Sequence, residues 1–310
     1  MKIEIELLAS ILEVKPPDLE KLINLFDDPS FHPYIARIRK KQHGKGMRFL
    51  HIPNFTPLKI TQRCINNFIA RYQDVPNEVF GFSGGTLQDA ISFHLKSQYF
   101  LSMDLKNAFR SVRENAVQKA FWKLSEIQIM PGKDKLTQEM LKLLVLLTTY
   151  RGTLPQGTPS SPRIFDLVFS PVDKEISDFS ESQSVCYTRY TDNLLFSSNS
   201  CMKRYTSEIV NIIQRGGFTP HKIKIHNPNP KCFTKILGFN VKDGRPHNTK
   251  ANKKKLRKKI HHLEWLLQNK SLATDIKGAW SRLQGFTSTM VYEESLEGTR
   301  RKVRQMQKEL

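Results

Sequence analysis

An α+β fold built on an antiparallel sheet is predicted by three observations. Two short strand-like runs each deliver an aspartate: Tyr99-Phe100-Leu101-Ser102-Met103 leads to Asp104, and Tyr187-Thr188-Arg189-Tyr190-Thr191 leads to Asp192. The second run turns straight back into Leu194-Leu195-Phe196-Ser197, which is the pattern of a hairpin. Helical stretches separate the strands without the regular strand–helix alternation of a doubly wound sheet. Two carboxylates 88 positions apart, each at a strand end in a very basic chain, point to a divalent-metal site for phosphoryl chemistry.

The elements follow in order. Residues 1–30 read as helical, apolar at Leu7, Ile11, Leu19, Leu22, Ile23 and Phe26, and broken at Pro16-Pro17. The basic segment 37–48 carries Gly44 and Gly46, which place a hairpin tip before a strand over 48–52. A helix over 57–73 turns Ile60, Cys64, Ile65 and Ile69 inward. Gly81, Gly84 and Gly85 mark a loop, and a helix over 87–95 follows. The strand over 99–103 ends at Asp104. Amphipathic helices cover 114–127 and 136–149, and a helix over 163–178 follows the Gly-, Pro-, Ser- and Thr-rich loop 152–162. Strands over 185–190 and 194–198 flank the turn that holds Asp192. A helix over 202–215 stops at Gly216-Gly217. Strands near 233–241 precede a turn at Asp243-Gly244. Residues 250–310 read as helical and strongly basic. Their apolar stripe is Leu256, Ile260, Leu263 and Leu267.

The charge balance narrows the function. The chain has 310 residues, with 49 Lys and Arg against 29 Asp and Glu, a formal net charge of +20. Such an excess implies a polyanionic partner, nucleic acid first. Cys64, Cys186, Cys201 and Cys232 show no zinc spacing and read as free thiols of a reducing compartment. The opening MKIEIELLAS carries acids inside its apolar stretch and makes a poor signal peptide. No apolar run reaches the ~18 residues of a membrane span. A cytoplasmic protein with no membrane partner is expected.

Taken in order, the motifs resemble those of bacterial reverse transcriptases of the retron and group II intron type, over roughly residues 45–290. Arg48-x-x-x-Ile52-Pro53 with Leu58-Lys59, and Gly81-Phe82-x-x-Gly85, look like the two finger motifs. Asp104-x-x-x-x-Phe109 looks like the first catalytic motif. Leu154-Pro155-Gln156-Gly157-Thr158-Pro159-Ser160-Ser161-Pro162 matches the Pro-Gln-Gly motif. Tyr190-Thr191-Asp192-Asn193 matches the Tyr-x-Asp-Asp hairpin except at its last residue. His94 stands ten residues before Asp104 as in retron enzymes, although Ala90-Ile91 replaces the usual Asn-Ala, and Leu237-Gly238 replaces Val-Thr-Gly.

The resemblance implies a right-hand polymerase: N-terminal helices and fingers over 1–98, a palm over 99–243 with a finger insertion at about 112–160, and a basic helical thumb over 244–310. It implies RNA-directed DNA synthesis on a dedicated structured non-coding RNA, with an RNA–DNA hybrid and dNTPs as ligands and two Mg²⁺ ions as cofactors. The setting it implies is antiphage defence with a separate effector protein.

Residue by residue, the resemblance makes Asp104, Asp192 and Asn193 the catalytic and metal-binding set. Lys224, or alternatively Lys222, would protonate pyrophosphate. Arg48, with Lys45 or Lys59, would grip the triphosphate, while Leu105, Phe109, Gln156 and Gly157 line the nucleotide and Phe109 excludes a 2′-hydroxyl. His94, Tyr190, Lys253, Lys254, Lys255, Lys258 and Lys259 would contact nucleic acid. Plainer readings stand beside these. Asp104 and Asp192 also suit a cap and a turn, Phe109 suits the core, and the cations suit a solvated face. Trp265 and Trp280 read as core rather than base-stacking residues.

Asn193 has lost the charge its relatives carry there. Three explanations compete: an engineered inactivating substitution, which the otherwise intact motif set favours, a natural variant, or a protein that no longer polymerises. An RNA-binding scaffold and an untemplated or repeat-synthesising nucleotidyl transferase are the functional rivals.

Overall fold

A five-stranded sheet organises the chain: β3 (Val79–Phe80), β5 (Cys186–Tyr190), β6 (Asn193–Ser198), β4 (Tyr99–Leu105) and β7 (Pro220–His226), in that spatial order. The computed structural model describes residues 2–40, 47–81, 84–126, 136–228, 234–242, 244–269, 272–291, 293 and 296–308. Pairing is antiparallel except at the two-residue β3, which runs parallel to β5. The period-two alternation of β4 sets the two faces. Leu101, Met103 and Leu105 enter the main core, and Phe100 enters a smaller cluster with Ile91, Leu195 and Phe239. Ser102 and Asp104 stay half-buried.

The main core is covered by helices α3 (Thr56–Tyr72), α6 (Glu114–Glu126), α7 (Gln138–Thr148), α8 (Ser161–Ser182) and α9 (Lys203–Arg215). Two inward assignments fail here. Ile60 is 49% exposed, and the buried positions of α3 are Leu58, Ile65, Phe68 and Ile69 together with Thr61 and Gln62. Gln62 lies in the apolar stripe because its amide donates to Leu147 O and Tyr34 Oη, both at 2.9 Å. Likewise Leu7 is 41% exposed, and Leu8 fills the core from α1 (Lys2–Leu12). Pro16-Pro17 forms the first turn of α2 (Pro16–Leu25), where a missing N–H costs nothing.

Strands β1 (Tyr34–Lys40) and β2 (Met47–Pro53) form a separate antiparallel hairpin. Its expected tip, with Gly44, Lys45 and Gly46, lies outside the described residues, as do Phe82 and Asp243 of the other turns. Two short helices, α4 (Leu87–Ser92) and α5 (Ala108–Ser111), flank β4. A third sheet comprises β8 (Thr234–Ile236), β9 (Phe239–Lys242) and β10 (Arg245–Asn248).

Helices α10 (Lys250–Gln268), α11 (Ala273–Thr287) and α12 (Glu297–Lys308) enclose their own core. Leu256, Ile260 and Leu263 are buried as expected, but Leu266 rather than Leu267 completes the stripe. Cys64, Cys186 and Cys201 form no disulfide, and Cys232 lies outside the described residues. Among the described residues no helix is long and apolar enough to cross a membrane.

Candidate active site

The register of the sheet brings the two aspartates together. Asp104 on β4 faces Asn193 on β6, and the Leu105 N–H donates to Asp192 O at 2.9 Å across the same strand pair. Asp192 lies in the two-residue turn that closes β5 onto β6, where Tyr190 pairs with Asn193. Thr191, the other turn residue, has φ +55°, a conformation β-branched side chains rarely accept. The surroundings hold it there. Its N–H donates to Phe80 O at 3.3 Å, and its carbonyl accepts from Arg189 Nη1 at 2.8 Å.

Gly81 lies beneath this turn with φ +110°, and a Cβ added there would sit 3.0 Å from Thr191 Cγ2. The glycine motif expected to serve the fingers therefore packs against the hairpin. Asp192 Oδ1 accepts from Thr191 Oγ1 and from Asn193 Nδ2, both at 3.1 Å, so an amide nitrogen of Asn193 meets the carboxylate.

Among the described residues, Arg189 is the largest fully buried side chain. Its guanidinium donates to both oxygens of Asp173, at 2.8 and 2.7 Å, and to Asp166 Oδ1 at 2.7 Å. The ring of Phe169 lies 5.0 Å from it, and Tyr187 Oη donates to Asp173 at 2.7 Å. This group ties the turn to α8, the helix that follows the Pro-Gln-Gly loop. Sequence reasoning missed it. The available signal was two acids, Asp166 and Asp173, seven apart on the inward face of a helix.

His94 is also buried, which corrects its expected contact with nucleic acid. Its Nδ1 meets Ser197 Oγ at 2.7 Å and its Nε2 meets Thr188 Oγ1 at 2.8 Å, bridging β5 and β6. Burial pushes the imidazole pKa from 6.5 down to about 3, so the folded chain holds it neutral. The unfolded chain takes up this proton near pH 6.5, so the His94 contribution to stability is complete above that pH and is lost progressively toward pH 3. Urea unfolding of the parent and of His94→Gln across this range is expected to show a shallower acid decline in the variant.

A cavity of about 350 Å³ opens in front of the aspartates. Asp104, Leu105, Phe109, Gln156, Asp192 and Arg48 line it together, although the sequence spreads them over 145 residues. Phe109 is half-buried, its ring 5.5 Å from Phe165. Gln156 is placed by its carbonyl, which accepts from the His51 N–H at 2.8 Å. Gly157 next to it has φ +113°, and a Cβ there would come within 3.3 Å of Leu50 Cβ, so glycine permits the loop to dock on β2.

Lys222, not Lys224, reaches the site. Its Nζ donates to Asp104 Oδ2 at 2.6 Å and it lines the cavity. The register of β4 on β7 shifts between Ser102 and Asp104, and Lys222 sits at that irregularity with φ +50°. Lys224 pairs with Ser102 instead. Strand periodicity alone could not locate such a bulge.

Lys59 is exposed and does not line the cavity; nor do Gly157 and Asn193, whose neighbours do. Lys106, Arg110 and His221 line it and were not anticipated. Lys106 and Arg110 lie within six residues of Asp104, so proximity to the motif was the signal. Four cations, Arg48, Lys106, Arg110 and Lys222, therefore face two carboxylates. This balance suits a polyphosphate that arrives with its own cations.

Among the described residues no group of three His, Cys, Asp or Glu side chains gathers. Asp104 and Asp192 still fit Mg²⁺ as hard anionic oxygen ligands. The remaining coordination positions would fall to water, main-chain oxygen and phosphate.

The C-terminal cations divide into two sets. Lys253 Nζ pairs with Glu293 at 2.5 Å, and Lys255 and Lys259 lie over the Phe286 ring at 5.4 and 5.7 Å, so these three are engaged within the protein. Lys254 and Lys258 are exposed. Tyr190 is half-buried beside Gly81.

Residues 38–241 match the family model described as reverse transcriptase (RNA-dependent DNA polymerase). The chain is 25% identical over 247 residues to the Ec86 retron reverse transcriptase of Escherichia coli, covering 79% of this chain and 74% of that one. It is 29% identical over 201 residues to the Ec83 retron reverse transcriptase of the same organism, covering 64% and 62%. Among solved structures, telomerase from Candida albicans with a fragment of telomeric RNA superposes with a TM-score of 0.51 at 9% identity. That match covers 80% of this chain and 54% of that one, a likeness of fold alone.

Proposed function

We propose that this chain, which belongs to the reverse transcriptase (RNA-dependent DNA polymerase) family, copies a structured non-coding RNA into DNA as part of a retron-type defence system. The supporting observation is the cavity that gathers Asp104, Asp192, Arg48, Phe109 and Gln156 with three further cations. In this reading the central sheet is the palm, the β1–β2 hairpin with α3 belongs to the fingers, and α10 to α12 form the thumb. The likeness to retron reverse transcriptases at 25–29% identity supports the retron assignment; a structured RNA partner, a cytoplasmic setting and a separate effector protein complete the proposal.

The residues divide the work as follows. Asp104 and Asp192 would hold Mg²⁺. When bound, the ions activate the primer hydroxyl and neutralise charge on the leaving pyrophosphate. Arg48, Lys106 and Arg110 draw in the triphosphate. Gln156 borders the incoming nucleotide. The half-buried ring of Phe109 would lie under its sugar and exclude a 2′-hydroxyl. Lys222, 2.6 Å from Asp104, would be placed to give a proton to pyrophosphate.

Primer extension on an RNA template with dNTPs, followed by sequencing of the product, tests this directly. A product complementary to the template is the expected result, and untemplated or repeat DNA would overturn the templated reading. Asn193→Asp is expected to raise Mg²⁺-dependent extension at least about tenfold, the usual scale for a group that tunes a metal ligand. The half-saturating Mg²⁺ concentration should fall with it, because a third charge joins the site. If neither form extends a primer while both bind RNA, the protein is a scaffold.

A further inference from the structure

The outward face of α10 carries a feature that packing does not explain. The helix already buries Leu256, Ile260, Leu263 and Leu266 in the C-terminal core, and Trp280 packs there too. Trp265 does not: it is 53% exposed, against the expectation of a core residue. Lys254, Lys258, His261 and Trp265 follow one another at spacings of four, three and four, which puts them on one exposed stripe. Indole in water on a helix whose apolar face is satisfied contributes nothing to folding.

From this we infer that the stripe is a binding site for single-stranded nucleic acid, with Trp265 as the platform on which one base stacks. The inference rests on the polymerase reading for the class of its ligand.

Charge supports it. Among the described residues Lys254, Arg257 and Lys258 have no ion-pair partner, and the carboxylate nearby, Glu264, is occupied by Lys302. Lys253, Lys255 and Lys259 are turned to Glu293 and Phe286, so the phosphate-binding cations are the outer ones.

Length supports it as well. From Lys254 to Trp265 the helix rises about 16 Å, a span that covers several nucleotides of a single strand. Phosphates on the lysines would then bring a base to the ring. A duplex keeps the faces of its bases covered by their neighbours, whereas an unpaired base offers its π-face and stacks on an aromatic side chain whatever its sequence. A protein partner would need apolar surface around the indole, and the neighbours of Trp265 on the helix surface are the polar His261, His262, Gln268 and Asn269 instead.

The test uses the full chain and two probes, a labelled oligouridylate of about eight nucleotides and a blunt-ended RNA duplex with no loop. Trp265→Ala is expected to weaken oligouridylate binding by about tenfold, the lower part of the range for one stacked base. Trp265→Phe should bind nearly as the parent, and duplex binding should be the same for all three proteins. Lys254→Gln with Lys258→Gln should flatten the salt dependence for oligouridylate.

Unchanged oligouridylate binding by Trp265→Ala, with a parent protein active in primer extension, overturns the site alone. So does an equal loss on both probes. A parent protein that binds neither probe and extends no primer overturns the polymerase reading instead.

Discussion

Asp104→Asn is expected to lower RNA-templated DNA synthesis on the order of a thousandfold, with the fold and RNA binding intact. Asparagine keeps the shape of aspartate but removes one of the two negative charges that line the cavity with Asp192. A metal ion supplies several kcal/mol of transition-state charge stabilisation, and about 4 kcal/mol corresponds to a factor of a thousand. The change leaves Lys222 without its carboxylate. That side chain is 57% exposed, so water solvates it and stability changes little. Single-turnover extension at saturating nucleotide, read beside thermal unfolding, checks both parts. An Asp104→Asn protein that extends primers at the parent rate would show that the metal is held elsewhere.

Arg189→Met is expected to destabilise the protein by about 3–5 kcal/mol, the cost of removing one partner from a fully buried ion pair. Two carboxylates, Asp166 and Asp173, would lose the guanidinium at once, Asp173 keeping the Tyr187 hydroxyl, and the Thr191 carbonyl would lose the Nη1 donor. Asp166 and Asp173 are 3% and 2% exposed, so little water can replace the guanidinium, and neighbouring Phe165 and Phe169 offer no hydrogen bond. Arg189→Lys should recover only part of the loss, because one ammonium cannot match the planar fork that reaches three acceptors. Urea midpoints for the three proteins measure this. The folded fraction of either variant should also extend primers more slowly, since the turn that carries Asp192 loses the donor that holds its strained neighbour. A midpoint unchanged in Arg189→Met would mean that the network contributes nothing.

Lys222 and Lys224 show where sequence reasoning ends. Both alternate on one strand, and nothing in periodicity separates them. The shift of register between Ser102 and Asp104 separates them, because it rotates one lysine into the cavity. His94 is a similar case. Its position ten residues before Asp104 agreed with the family pattern, yet a histidine that clasps two strands from below and one that touches RNA look alike in sequence. Burial decided between them. Trp265 and Trp280 lie fifteen residues apart in the same basic region, and only the direction of each helix face put one inside and the other in water.

By itself the sequence determined the class of this protein: a strongly basic chain with two aspartates on short strands and a Pro-Gln-Gly loop between them. These are local patterns, and local patterns of charge, periodicity and turn residues survive without coordinates. The tertiary structure decided what depends on contacts between distant segments: Arg189 anchored on α8, Gly81 beneath Thr191, and Lys222 against Asp104. Each joins elements whose register and packing no single segment encodes, because the free energy that selects them resides in burial and hydrogen bonding across the fold.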